Sequence, residues 1–169
     1  MGTEWRGQSK VQPSEEKTMR VPLTTVAVLA FWGAALAQQG GTEQEARAML
    51  DKAIAAVKAD QVVAIIKFTK GEDGFLDRDL YPFCFRISDA KTLATPKAVK
   101  AGIDVRTLKD NKGEAYGEAI YAAAQKPEGQ ITEIKPYMFP KPGTTEPLFP
   151  KISFVTKVGE LGCGVGYYK

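Results

Sequence analysis

The hydrophobic period of this chain changes at the Gly71–Gly74 turn, and that change restricts the fold more than any single residue does. Before it, "TEQEARAMLDKAIAAVKAD" places Ala46, Met49, Leu50, Ala53, Ile54 and Val57 at spacings of three and four, one apolar helical stripe. Thr42 with Glu45 three residues later is a capping box and sets the helix start. A second apolar helical piece, about Gln61 to Thr69, follows Asp60 and stops at the glycines. Beyond the turn, Tyr81, Phe83, Phe85 and Ile87 alternate with Pro82, Cys84 and Arg86, an aromatic strand. Pro82 has no N–H to give a ladder, so it belongs at the strand start or on a free side.

"SDAK" then turns the chain and "TLAT" forms a short second strand. "KAVKAGIDVRTLKDNKG" reads as loop with short helical turns, and "EAYGEAIYAAAQ" as a helix with Ala115, Ala119, Ile120 and Ala123 inward. Three strands follow, in "QITEIKPYMFPKPG", "KISFVTKVG" and "GCGVGYYK". Helices grouped ahead of a mostly antiparallel sheet predict an α+β domain, with the long N-terminal helix and its companions on one face of five strands.

The compartment is written further upstream. Arg20 precedes an uncharged apolar run from Val21 to Leu36 that ends in Ala35-Leu36-Ala37, followed by Gln38. Basic, apolar and small-residue segments in that order are a secretory signal peptide. A retained anchor would want about 20 apolar residues, more than this run offers. Residues 1–18 are polar and aperiodic, an upstream or non-native extension. Residues 19–37 are the signal peptide, and 38–169 form one domain of periplasmic or secreted protein with no membrane span once the signal is cleaved.

Several chemistries are excluded. The chain has 23 Lys and Arg against 20 Asp and Glu, scattered among one another, whereas phosphate backbones need a concentrated basic face. Nucleic acid is therefore not the partner. There is no histidine and there are two cysteines, which removes zinc sites, the usual neutral-pH base and both Ser-His-Asp and Cys-His catalysis. No cofactor and no metal is expected. The remaining candidates for an enzyme are the acids Asp89, Asp104 and Asp110, which have no diagnostic pairing, so no catalytic residue is assigned. In "LGCGVGYYK", Cys163, Val165 and Tyr167 alternate with glycines, which is a strand that another backbone or a ligand approaches closely. A phosphate loop would need a helix after its glycines. Cys84 and Cys163 lie one per strand; in an oxidising compartment they pair if those strands are neighbours, and otherwise are two buried thiols.

The segments "DLYPFCFRISDAKTLATP", "GIDVRTLKDNKGEAYGEAIYAAA", "GQITEIKPYMFPKPG", "PKISFVTKV" and "GCGVGYYK" follow one another in an order that resembles the single Cache sensor domain, a PAS-like extracytoplasmic family. The resemblance implies strand order 2-1-5-4-3, which sets the first and last strands side by side and suits a Cys84–Cys163 disulfide. Two positions depart from the family pattern: Asp89-Ala90-Lys91-Thr92 stands where Asp-x-x-Gly is common, and Thr95-Pro96 where His-Pro is common. The resemblance also implies a small-molecule ligand, often a short organic acid or amine, bound on one sheet face without catalysis. Lys151 matches the family's Pro-Lys lysine and is the candidate cation for a carboxylate. Placed at a strand head, it carries little packing of its own. Tyr137 and Phe139, two apart on one strand, join Phe83, Phe85 and Tyr116 as pocket walls or as plain core. With its last strand ending at Lys169, the chain reads as a stand-alone exported member that signals through a membrane receptor or kinase. The rival reading is an exported structural or protein-interaction domain with no small ligand.

Overall fold

The computed structural model describes residues 40–95 and 101–169. The expected upstream extension (1–18) and signal segment (19–37) lie outside the described residues. Helix α1 spans Glu43–Ala59 and starts as the capping box requires: Thr42 Oγ1 accepts from Glu45 N, and Glu45 Oε2 accepts from Thr42 N. Asp60 ends α1 in an extended conformation and caps α2 (Gln61–Lys70), its Oδ1 accepting from Val63 N at 3.0 Å. Gly71 closes α2 at φ 71°, a left-handed position that favours glycine. None of these helices is long and apolar enough to cross a membrane.

The sheet contains β1 (Pro82–Arg86), β2 (Thr92–Ala94), β3 (Thr132–Pro140), β4 (Leu148–Val158) and β5 (Leu161–Tyr168) in the order β2-β1-β5-β4-β3, with every pairing antiparallel. Pro82 is the first residue of β1, where its missing N–H costs no ladder bond. A short helix α3 (Tyr116–Ala123) lies between β2 and β3.

Strand parity sorts the side chains. On one face Cys84, Ile152, Phe154, Val158, Leu161, Cys163 and Val165 pack on the buried stripe of α1, including Ala46, Leu50 and Ala53. On the other, Phe85, Val155, Tyr137, Phe139 and Tyr168 pack with α3 through Tyr116, Ile120 and Ala123. The expected placement of all helices on one face is thus corrected. Aromatic residues alternate with apolar ones on the strands, so both faces need cover. The expected inward face of α3 also shifts: Ala119 is exposed and Ala115 half-buried, while Tyr116 and Gly117 are buried. Gly117 sits flush on the backbone at Val105, where a Cβ would collide with the Val105 carbonyl. An irregularity in β3 between Ile134 and Tyr137 reverses parity, so Ile134, Tyr137 and Phe139 share one face.

β5 is the centre of the sheet and its faces differ. Cys163 stands directly opposite Cys84 in the β1–β5 register with Cα atoms 4.2 Å apart, and the two form a disulfide across 79 residues. Gly162, Gly164 and Gly166 occupy the opposite face, and a Cβ on each would collide with Phe85, Phe83 and Lys151 respectively. Replacing both cysteines by serine is expected to lower unfolding free energy by about 2–4 kcal/mol, read from urea denaturation, chiefly by freeing the unfolded chain. An unchanged midpoint would show the bridge to be energetically idle.

Candidate functional site

The glycine face of β5 leaves room beside it for side chains from its neighbours. Lys151 on β4 is paired in register with Tyr137 on β3 and Tyr168 on β5, so its side chain rises between two phenols. It enters the space that Gly166 leaves open. All six residues named from the sequence as ligand-binding (Phe83, Phe85, Tyr116, Tyr137, Phe139 and Lys151) border one cavity of about 40 Å³. At about 10–15 Å³ for one water, that is room for roughly three waters or a molecule of a few heavy atoms. Val105, Leu108 and Ile120 complete an apolar wall.

The aromatic wall is ordered by ring contacts. Tyr116 from α3 stacks on Tyr137 with centroids 4.2 Å apart and planes 7° from parallel, and Phe139 meets both edge-on. The Tyr137 hydroxyl and Ser153 Oγ are 2.8 Å apart and buried, which satisfies both. Burial raises the Tyr116 phenol to about 12, with a smaller push from Asp110, and it raises Tyr137 further. These phenols are therefore neutral hydrogen-bonding groups at any ordinary pH.

Lys151 is the one charged side chain among the described residues of this lining. It is 1% exposed, which corrects the expectation of a lightly packed strand head; β4 begins at Leu148, so Lys151 lies inside the strand. Its Nζ donates to the Tyr81 hydroxyl. The same nitrogen lies 4.0 Å from the Tyr81 ring centroid and 4.9 Å from those of Phe139 and Tyr168. Faces of aromatic rings attract an ammonium but do not neutralise it. Burial pulls the Lys151 pKa down to about 7, and Asp79 acts in the opposite direction.

Tyr81, Tyr168 and Asp79 were not foreseen at this site. A signal existed for the first two: Tyr81 continues the alternation of Phe83 and Phe85, and Tyr168 continues that of the β5 glycines. Asp79 lies outside any strand and gave none. It is 5% exposed; its Oδ1 accepts from Gly41 N at 2.6 Å, and its Oδ2 faces Lys141 Nζ at 3.3 Å without a hydrogen bond of normal geometry. Tyr168 donates to the Pro140 carbonyl at 2.5 Å, tying the end of β5 to the end of β3.

The three acids considered for catalysis hold loops instead. Asp89 pairs with Arg86 at 2.7 Å and accepts from Lys91 N. Asp104 pairs with Arg106, whose hydrogen bond holds its carboxyl at about 2. Asp110 accepts from the backbone N–H groups of Met138, Lys112 and Glu114, which lower its pKa. Each is shifted away from the range a general acid needs.

The fold has parallels among known proteins. A Cache chemosensory domain described for its carboxylic acid recognition aligns with TM-score 0.53 and 21% identity, over 74% of this chain and 86% of its own. A periplasmic sensor domain of a chemotaxis protein aligns with TM-score 0.54 and 20% identity, over 74% and 88%. A methyl-accepting chemotaxis protein of Vibrio parahaemolyticus RIMD 2210633 gives TM-score 0.56 and 20% identity, over 74% and 86%. At such identities the likeness is one of fold. No curated protein matches the sequence. The family described as Single Cache domain 2 matches residues 35–168, nearly the whole domain whose strand order and helices are described above. The protein belongs to the single Cache domain family.

Proposed function

We propose that the protein is an exported sensory module that binds a small organic acid at Lys151 and performs no catalysis. One observation carries this reading: a lysine ammonium buried at 1% exposure on the wall of a small aromatic cavity, while the carboxylate that acts on it, Asp79, is hydrogen-bonded to Gly41 N. An ammonium in such surroundings is under-compensated, and an entering carboxylate supplies a charge-assisted hydrogen bond that the neutral phenol does not. The cavity volume restricts the acid to a few heavy atoms unless a wall moves. The chemosensory domain described for carboxylic acid recognition, and the periplasmic and chemotaxis contexts of the others, support the same ligand class and compartment, and the module is proposed to pass its signal to a membrane receptor or kinase.

A second reading, a protein-interaction domain, has its own observation. Val62, Val63 and Ile66 on α2, with Leu76 after it, are exposed apolar side chains. Such a patch also suits a sensor that passes its signal on, so the ligand test separates the two readings.

Export is checked by the intact mass of secreted material, which should correspond to a chain beginning at Gln38. A product that retains Val21–Ala37 would mean an anchored form.

Binding is checked by calorimetric titration with short carboxylates. Lys151→Ala should weaken binding about ten- to a hundredfold, since a charged hydrogen bond contributes roughly 1.5–3 kcal/mol. Lys135→Ala and Lys157→Ala serve as controls with small effects. Equal affinity in wild type and Lys151→Ala would remove this lysine from the site.

The pH dependence has a definite sign. The unfolded lysine titrates near 10.4 and the buried one at about 7, so between those values the unfolded state holds more protons. Stability of the unliganded protein therefore rises as pH goes from 7 toward 10, and the gain is lost as pH falls back through 7. A bound carboxylate keeps Lys151 charged, so its affinity should fall above pH 7 by up to tenfold per unit. Thermal melts at pH 6 and 9, with and without acid, read both trends; a melting temperature that falls from pH 6 to 9 in wild type relative to Lys151→Met would contradict the burial argument.

A further inference from the structure

The Lys151 pocket is joined to the start of α1 by three consecutive residues. The Tyr81 hydroxyl accepts a hydrogen bond from Lys151 Nζ at the cavity, and its ring lies against the same ammonium. Leu80, next in the chain, is 1% exposed and packs with Ala46, Met49 and Leu50 of α1. Asp79, next again, accepts from Gly41 N at 2.6 Å. Gly40 and Gly41 are shaped to this segment: a Cβ on Gly40 would fall 2.5 Å from Asp79 Oδ2, and one on Gly41 would collide with Leu80.

We propose that in the unliganded protein the Tyr81 hydroxyl occupies the place on Lys151 that an acid takes, and that Asp79-Leu80-Tyr81 carries its displacement to the start of α1. This rests on the reading of the pocket as an acid site. A carboxylate makes a stronger hydrogen bond to an ammonium than a neutral phenol does, so it out-competes Tyr81. The cavity has space for only a few heavy atoms, so an acid gains room when Tyr81 yields. Residues 79 and 81 are two peptide units apart, at most about 7 Å of chain. A shift of Tyr81 thus reaches the Gly41 hydrogen bond with no intervening mobile element. Leu80, packed on both sides, turns that shift into a movement of the α1 start rather than a local rotation. Tyr81 is accordingly a determinant of affinity as well as the first link to α1.

The experiment measures hydrogen exchange of the Gly41–Ala46 amides by NMR on the exported protein, free and saturated with sodium acetate or propionate, alongside calorimetric affinities. In wild type, saturation should raise exchange at Gly41 at least fivefold. Tyr81→Phe keeps the ring and removes the internal acceptor. Without any acid it should show the same fast exchange, and it should bind acetate about three- to tenfold more tightly. Asp79→Ala, which removes the acceptor of the Gly41 N–H, should exchange fast at Gly41 with or without acid, because the link is cut at its far end. Acetate or propionate binding to wild type with Gly41 exchange changed by less than twofold would overturn the coupling, as would unliganded Tyr81→Phe exchanging like wild type. If neither acid binds wild type while Tyr81→Phe still exchanges fast, the acid reading of the pocket falls and the mechanical link stands.

Discussion

The central strand β5 is the constraint on which the rest of the sheet depends. Because successive residues of a strand point to opposite faces, its alternation of glycine with larger residues gives each face one task. The Cys163 and Val165 side receives α1 and carries the disulfide to β1. The glycine side is recessed, and into that recess fit Phe83, Phe85 and Lys151 from the two neighbouring strands. A cavity on a sheet face normally requires the covering helix to stand off. Here the floor is lowered instead, which lets α3 pack closely through Tyr116 and Ile120 while space remains beneath it.

Lys151 is the energetic counterpart of that recess. A shift of its pKa from the usual lysine value to about 7 corresponds to a net cost on the order of 5 kcal/mol for the charged form, at 1.36 kcal/mol per unit. Three aromatic rings and one phenol hydroxyl offset part of this. A fold that keeps such a group holds a stability deficit at the place where the proposed acid would bring the missing charge. On the opposite face of the same strand, the disulfide ties β5 to β1, one of the two strands whose side chains fill the recess.

Much of this was legible in the sequence, for reasons that differ from residue to residue. The α1 stripe and the strands were readable because their periods are strong and their caps specific. Phe83, Phe85, Tyr137 and Phe139 could be placed on sheet faces because aromatic alternation marks a strand, whereas Lys151 came from its match to the family's Pro-Lys pattern. The phase of α3 was not readable. An eight-residue helix rich in alanine has little contrast between its faces, and what fixes it is a close approach of Gly117 to Val105. The parity reversal in β3 was equally hidden, since it comes from pairing with β4 rather than from the local pattern. The burial of Lys151 depends on neighbours far away in sequence, Tyr81 being 70 residues distant, and a strand lysine taken alone suggests a solvated face.

The position of Asp79 supports the proposal that the site takes an anion rather than a cation. A carboxylate in direct contact with Lys151 would neutralise it and leave a ligand acid nothing to add; two acids would then compete for one ammonium. Asp79 is held back from that contact by its hydrogen bond to Gly41 N and its ion pair with Lys141. It is near enough to raise the lysine's pKa, yet it is committed to the start of α1 and the β3–β4 connection. The cavity wall itself offers phenols pushed well above neutral pH and apolar rings, none of which carries a negative charge. An amine ligand would find no counter-ion there and would meet the ammonium of Lys151, so the burial that makes this lysine costly also sets the sign of the charge it accepts.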